Sequence, residues 1–199
     1  MVSNKTVVAV ALLAAVAGAT ASLYFEPAIA LRLARTPVGQ KMLELMGTPA
    51  QAPDGVVVAK RGDAVPPMTL QAPDGTDVAL PDAWAGKPTL VNLWASWCAP
   101  CLKEMPELDE YAREQGANGV QVTGIALDDA EAVQAFLDQY GIGYPNLIDA
   151  PGPADAGVRL GNPAGVLPYS VLVSAEGRIL KTRIGPFIDK ADIAGWAQP

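Results

Sequence analysis

Hydrophobic positions along this 199-residue chain fall into blocks of different length and period. The first block, Val7 to Phe25, is nineteen residues without a charge, just long enough to cross a bilayer as a helix. Lys5 and the terminal amine precede it and Glu26 follows it, an asymmetry that puts the N-terminus in the cytoplasm and the rest outside. The competing reading is a cleaved signal peptide, with Ala19-Thr20-Ala21 as the small-residue site before Ser22. Either reading exports the remainder of the chain. A buried cytosolic helix fits an uncharged terminal run of this length poorly.

Thr36-Pro37 then opens a short helix, with Thr36 as N-cap and Pro37 at the first helical position. Val38, Met42, Leu45 and Met46 recur at helical spacing, and Gly47 ends it. Residues 48–67 are rich in proline and turn dipeptides, as in an extended linker or a strand edge. The chain is thereby divided into 1–26 (signal-anchor or signal peptide), 27–64 (membrane-proximal helix and linker) and a domain over 65–199.

Within that domain the period changes from element to element. Met68-Thr69-Leu70 and Val78-Ala79-Leu80 flank QAPDGTD, whose Asp74-Gly75 predicts a hairpin. PTLVNLW, Pro88 to Trp94, is apolar apart from Asn92, as in a buried central strand. Ala99 to about Gln115 reads as a helix interrupted or kinked near Pro106. VQVTGIAL, Val120 to Leu127, is a second buried strand. Asp128-Asp129 caps the next helix, which carries Val133, Phe136, Leu137 and Tyr140 on one face and closes at Gly141. A short strand at 146–148 and a helical turn at 154–160 come next. GVLPYSVLV and GRILKTRIG then form two strands joined by the turn-rich Ser174 to Gly177, and a helix over 190–197 ends the chain. Lys181 and Arg183 alternate on their strand and read as a solvated face. Strands alternating with helices, then a hairpin and a helix, predict an α/β fold with a central mixed sheet flanked by helices.

Half of the residues are hydrophobic, enough for a core, and the net charge of -7 with a pI near 4.5 lacks the basic footprint of a nucleic-acid binder. The informative residues are the two cysteines, Cys98 and Cys101, in ASWCAPC. Two cysteines and no histidine cannot complete a zinc site. A disulfide closing so short a loop removes little chain entropy, so bracing the fold is a poor explanation. Redox chemistry or a chance pair of inert thiols remains, and the spacing favours redox. Cys98 follows a buried strand and Cys101 sits in the first helical turn, where unpaired N–H groups and the helix dipole favour a thiolate. Cys98, the outer thiol, is therefore the expected nucleophile with a lowered pKa, and Cys101 the shielded resolving thiol. Trp97 flanks the pair and is placed to meet substrate, whereas Trp94 reads as core. Asp128-Asp129 reads as a cap and not as a metal site.

LVNLWASWCAPCLKEMPEL resembles the thioredoxin superfamily, and within it the exported TlpA/ResA-like branch of bacterial thiol-disulfide oxidoreductases. The resemblance runs from about Val65 to the C-terminus and includes the DG hairpin, GKPTLVNLWASWC and a β-α insertion before the second half of the fold. WCxPC after an apolar strand is far more specific than a bare CxxC. The resemblance implies a thioredoxin-like fold with an N-terminal hairpin, no bound cofactor or metal, and a cis proline facing the cysteines, here Pro168. It leaves the backbone of Leu167 free to pair with substrate. Where thioredoxin carries a buried aspartate this chain has Asn92, which cannot carry a proton. Glu104, three residues beyond Cys101 on the same helix face, is the candidate acid and base, as the exported branch implies.

Strong oxidants of the superfamily often place a histidine between the cysteines; Ala99-Pro100 offers no such donor. The implied activity is a protein-disulfide reductase of the cell envelope, acting on disulfide-containing proteins and fed by a membrane thiol-transfer partner. Cytochrome c maturation and copper-centre assembly are the family's duties of this kind. An oxidase or isomerase is the runner-up. A copper-binding chaperone would want CxxxC and a histidine, and a thiol peroxidase other residues around its cysteine.

Overall fold

The structure is a computed structural model that describes residues 36, 38, 52–116 and 119–198. The chain divides into two compact units, residues 1–46 and 47–199. The apolar run at 7–25, and the expected helix at 36–47 apart from Thr36 and Val38, lie outside the described residues. Among the described residues no helix is long and apolar enough to cross a membrane.

A hairpin of β1 (Met68–Gln71) and β2 (Asp77–Leu80) comes first. Its turn is closed by the Thr76 amide donating to Asp74 Oδ1 at 2.9 Å, and Gly75 takes a φ of 83°, which a side chain would oppose. The chain continues through β3 (Thr89–Trp94), α1 (Ala99–Glu114), β4 (Gln121–Leu127), α2 (Ala130–Tyr140) and β5 (Asn146–Asp149). A four-residue α3 (Ala156–Arg159), the strands β6 (Tyr169–Val173) and β7 (Ile179–Ile184), and α4 (Lys190–Trp196) complete the unit. The seven strands make one mixed sheet in the order β2-β1-β5-β4-β3-β6-β7. β3, β4 and β5 are parallel, as crossovers through α1 and α2 require, and β6, β7 and the β1-β2 hairpin run antiparallel to their neighbours.

All six residues of β3 are buried, which explains the unbroken apolar run. Alternate side chains serve two cores. Leu90 and Trp94 join Cys101, Met105 and Leu108 of α1, Val133 and Phe136 of α2, and Ile193 of α4. Val91 and Leu93 face the other way, toward Leu70 of the hairpin, Leu160 and the segment from Ala59 to Val65. Ahead of Val65 that segment is held by the Ala59 amide donating to the Arg159 carbonyl at 3.0 Å and by an Ala64–Arg178 bridge. Asn92 is the polar member of the first face.

α1 runs without a break through Pro106, contrary to the interruption expected there. The missing N–H deprives only the Leu102 carbonyl of its partner, and burial of Met105 and Leu108 on either side helps the helix continue through it. α2 ends as the sequence predicts, with Gly141 in the left-handed region at φ 62°. A second cis peptide, Leu80–Pro81, had no sequence signal. α4 lies against α1, where the Lys190 ammonium reaches Glu110 and Glu114 and its amide donates to Glu107 Oε2 at 3.0 Å. These exposed pairs add little stability. They do fix where the C-terminal segment crosses the helix that carries the cysteines.

Candidate active site

The loop leaving β3 is pinned before it reaches the cysteines. Ser96 donates both its amide and its hydroxyl to Asp128 Oδ2, at 2.8 and 2.6 Å. Asp128 follows the neighbouring parallel strand β4, paired to β3 through Trp94 and Ala126, so the two strand-to-helix loops meet at the same edge. Burial pushes the Asp128 carboxyl up, but the Ser96 hydroxyl and amide and the Asp129 amide outweigh it and hold it below its ordinary range. The two aspartates thus divide their work. Asp129 alone caps α2, accepting from the Ala132 amide at 2.9 Å, while Asp128 braces the cysteine loop.

Cys98 is the N-cap residue of α1, with Pro100 in the first turn. Its amide donates to the Ala95 carbonyl at 3.0 Å, and its carbonyl accepts from Leu102 at 3.1 Å. Pro100 has no N–H, so the amides of Ala99 and Cys101 are the first turn's remaining donors, and neither is bonded to the Cys98 side chain in the disulfide. No acidic residue lies in this turn to compete for them. Cys98 and Cys101 are joined as a disulfide with a Cα–Cα distance of 5.3 Å. Cys98 is 5% exposed and Cys101 fully covered, so the outer sulfur is the one a partner can reach.

Glu104 lies one turn deeper and is 2% exposed. Its Oε1 accepts from Asn92 Nδ2 at 2.9 Å and its Oε2 from the Phe187 amide at 2.7 Å. Asn92 Nδ2 also donates to Ser170 Oγ at 3.2 Å, which ties α1 to β3 and β6. Burial lifts the Glu104 carboxyl from 4.5 to about 7, against the pull of the Phe187 amide, the Asn92 amide and the Arg183 charge. A group in that range both gives and takes a proton near neutrality. The sequence named Glu104 as the candidate carboxyl and Asn92 as a residue unable to carry a proton; the hydrogen bond that joins the two had no sequence signal.

Pro168 is buried and follows a cis Leu167–Pro168 bond. β6 begins at Tyr169, opposite Leu93, so the proline stands at the end of β3 from which the cysteine loop departs. Asn162 holds the approach to it, donating to the Val166 carbonyl at 2.9 Å and accepting from the Val166 amide at 3.2 Å. Leu167 is half-buried. Trp97 is 69% exposed, the lip of the site, while Trp94 is core and donates Nε1–H to Asn146 Oδ1 at 2.9 Å.

Arg183 overturns its sequence reading. It is 8% exposed, not solvated. Its two terminal nitrogens donate to the Asp192 carboxylate at 3.0 and 2.8 Å, and Nη2 also donates to the Pro186 carbonyl at 3.2 Å. The guanidinium lies over the Phe187 ring, 4.4 Å from its centroid. α4 folds back over this end of β7 and excludes water, a long-range event that strand alternation cannot reveal. Lys181 on the same face is half-buried, with Nζ donating to the Gln198 carbonyl at 2.7 Å. Asp192, Asn162, Ser170 and the Asp128 brace carried no motif.

Residues 60–196 match the Redoxin family. The thiol-disulfide oxidoreductase ResA of Bacillus thuringiensis is 32% identical over 127 residues, 62% of this chain and 69% of that protein. The thiol:disulfide interchange protein HelX of Rhodobacter capsulatus is 34% identical over 69% of this chain and 75% of its own length. A secreted thiol-disulfide isomerase of Corynebacterium glutamicum superposes with a TM-score of 0.59 at 25% identity, over 74% of this chain and 93% of that one. With the cysteine pair at a helix start, the chain belongs to the Redoxin family and is a TlpA/ResA-like thiol-disulfide oxidoreductase of thioredoxin-like fold.

Proposed function

We propose that this oxidoreductase works as a protein-disulfide reductase of the cell envelope, and that the pairing of a helix-capping Cys98 with a buried Glu104 one turn below Cys101 carries that reading. In the reduced protein the Cys98 thiolate attacks one sulfur of a substrate disulfide, forming a mixed disulfide and expelling the other substrate sulfur as a thiolate. Cys101 then loses its proton to the Glu104 carboxylate and attacks Cys98 Sγ. The second substrate sulfur leaves, Cys98–Cys101 is oxidised, and the substrate has gained two electrons and, with water or Glu104 as source, two protons. Substrate backbone pairs with Leu167 beside cis Pro168, and Trp97 covers its apolar side chains.

The direction is read from Ala99-Pro100, which offers the Cys98 thiolate no side-chain donor. A thiolate stabilised only by a helix start belongs to the reducing side, nearer the about −270 mV of thioredoxin than the about −120 mV of a strong periplasmic oxidant. The uncharged run at 7–25 anchors or exports the protein, and a membrane thiol-transfer protein returns the electrons. Cytochrome c maturation and copper-centre assembly, the duties the family resemblance implies, are the ones such a reductase would serve. The test is the reduction potential of the Cys98–Cys101 couple in glutathione or dithiothreitol buffers. A value near thioredoxin's is expected; one near the oxidising extreme reverses the direction and makes the protein a disulfide donor.

A further inference from the structure

One peptide group links two buried charges beneath the cysteines. The Phe187 N–H that donates to Glu104 Oε2 at 2.7 Å belongs to the same peptide as the Pro186 carbonyl, and that carbonyl accepts from Arg183 Nη2 at 3.2 Å. A cation on the oxygen of an amide draws electron density from its nitrogen and strengthens the N–H as a donor, the cooperative effect seen in hydrogen-bond chains. The guanidinium is aimed by three further contacts: both Asp192 oxygens and the face of the Phe187 ring. Asp192 Oδ2 in turn accepts from the Ile188 amide at 3.0 Å, so both flanks of Phe187 are clamped.

We propose that Arg183 is a positioning residue for the redox reaction, acting through the Pro186–Phe187 peptide to hold the Glu104 carboxyl and favour its ionised form. Asp192 orients Arg183 and moderates its charge. This rests on the acid–base reading of Glu104 and extends it to the far end of the domain. Without the relay, Glu104 would keep one amide donor from Asn92 and a loop free to turn the Phe187 N–H away. A buried carboxyl would then hold its proton more tightly, and Cys101 would lose its base near neutrality.

The groups facing Glu104 fix the sign of the effect. Asn92 comes from β3 and is neutral, with Ser170 of β6 behind it. The Tyr144 phenol, before β5, is held neutral well above its ordinary range by burial and by Glu104 and Asp109. Asp109, further along α1, is neutralised by Arg113 at 2.8 Å. Arg183 of β7 pulls the Glu104 carboxyl down, and Asp192 of α4 pushes it up. Replacing Arg183 by a neutral residue, and Asp192 by asparagine, whose oxygen still accepts from the guanidinium, should therefore move Glu104 in opposite directions.

The experiment tracks the Glu104 carboxyl stretch by infrared titration of the oxidised full chain, the band being assigned by its loss in Glu104→Gln. Arg183→Met is expected to raise the midpoint by about one pH unit, the low end for a nearby opposite charge. Asp192→Asn is expected to lower it, and it also covers the case in which Arg183→Met fails to fold. An unchanged midpoint in Arg183→Met overturns the proposal. So does movement of both variants in the same direction, the signature of loosened packing. A separate arm compares thiol-exchange rate against pH in Glu104→Gln. If that profile matches the parent's, the acid–base role of Glu104 fails, while the infrared midpoints still decide whether Arg183 governs the carboxyl.

Discussion

Replacing Glu104 by glutamine should stabilise this protein, and the gain should exist only at high pH. The folded chain raises the Glu104 carboxyl from 4.5 to about 7, with burial as the first cause. A carboxyl whose folded pKa lies above its unfolded one binds its proton more tightly in the native state. Its contribution is fully present below the unfolded value and is lost as pH rises through the folded value. At about 1.4 kcal/mol per pH unit, that interval corresponds to roughly 3 kcal/mol. Glutamine has the shape of the protonated acid and no charge to desolvate. Its oxygen can accept from the Phe187 amide; its NH2 then faces Asn92 Nδ2, a donor meeting a donor. A half-turn of the Asn92 amide lets Oδ1 accept from that NH2 and from the Ser170 hydroxyl, while Nδ2 takes the place that Oδ1 now holds without a partner among the described residues, a choice the protonated acid of the parent meets as well. The variant should therefore match the parent to within about 1 kcal/mol at low pH and exceed it by about 3 kcal/mol near pH 8.5. The assay is urea unfolding of the oxidised proteins, monitored by tryptophan fluorescence, at about pH 4 and 8.5. Other carboxylates titrate equally in both and cancel. A difference that is the same at both pH values would refute the reasoning, because it would mean that Glu104 does not change its ionisation across that interval.

Two further outcomes test the supports around the site. Asp128→Ala leaves the Ser96 amide and hydroxyl without their shared acceptor; a loss of about 1–3 kcal/mol is expected. Hydrogen exchange should quicken at Ser96 and Cys98 ahead of the rest of the sheet, and unaltered exchange there would show that Asp128 does not brace the loop. Gly124→Ala would drive a methyl group into Asn146 Oδ1 and to 3.1 Å from Trp94 Nε1. Breaking that indole hydrogen bond and overfilling the core should cost about 2–3 kcal/mol. A change in the unfolding midpoint worth under about 0.5 kcal/mol would instead mean that the strand shifts freely to make room.

What the sequence revealed was set by local physics. The β3 run, the DG turn, the Gly141 stop and the cysteines at the start of α1 each depend on a few adjacent residues, and each appears where expected. Glu104 was legible because its helical spacing from Cys101 places both on one face. Pro106 does not interrupt α1, because the packing of the buried Met105 and Leu108 offsets the local cost of a proline in a helix interior. Arg183 misled for another reason. Nothing near it in sequence announces that α4 will cover it, and alternation on an edge strand is the same whether the outer face meets water or a helix. Asp128 was ambiguous because two adjacent aspartates before a helix both satisfy the capping rule, and only the parallel register of β3 with β4 assigns one to Ser96.

These long-range contacts share a consequence for the chemistry. The cysteines and the carboxyl sit on α1, yet the groups that set the carboxyl come from β3, from the turn after β7 and, through Arg183, from α4. An aspartate at position 92 would put the proton carrier on the sheet, where strand pairing alone fixes it. With asparagine there, the carrier rides on the helix and must be fixed by whatever packs across that helix. That is the C-terminal turn, anchored by Lys190 to Glu107, Glu110 and Glu114 further along α1. The terminal residues of a chain usually tolerate change best where few contacts hold them. Here they close the second half of the Glu104 environment, so loosening α4 should disturb the redox site before it disturbs the sheet.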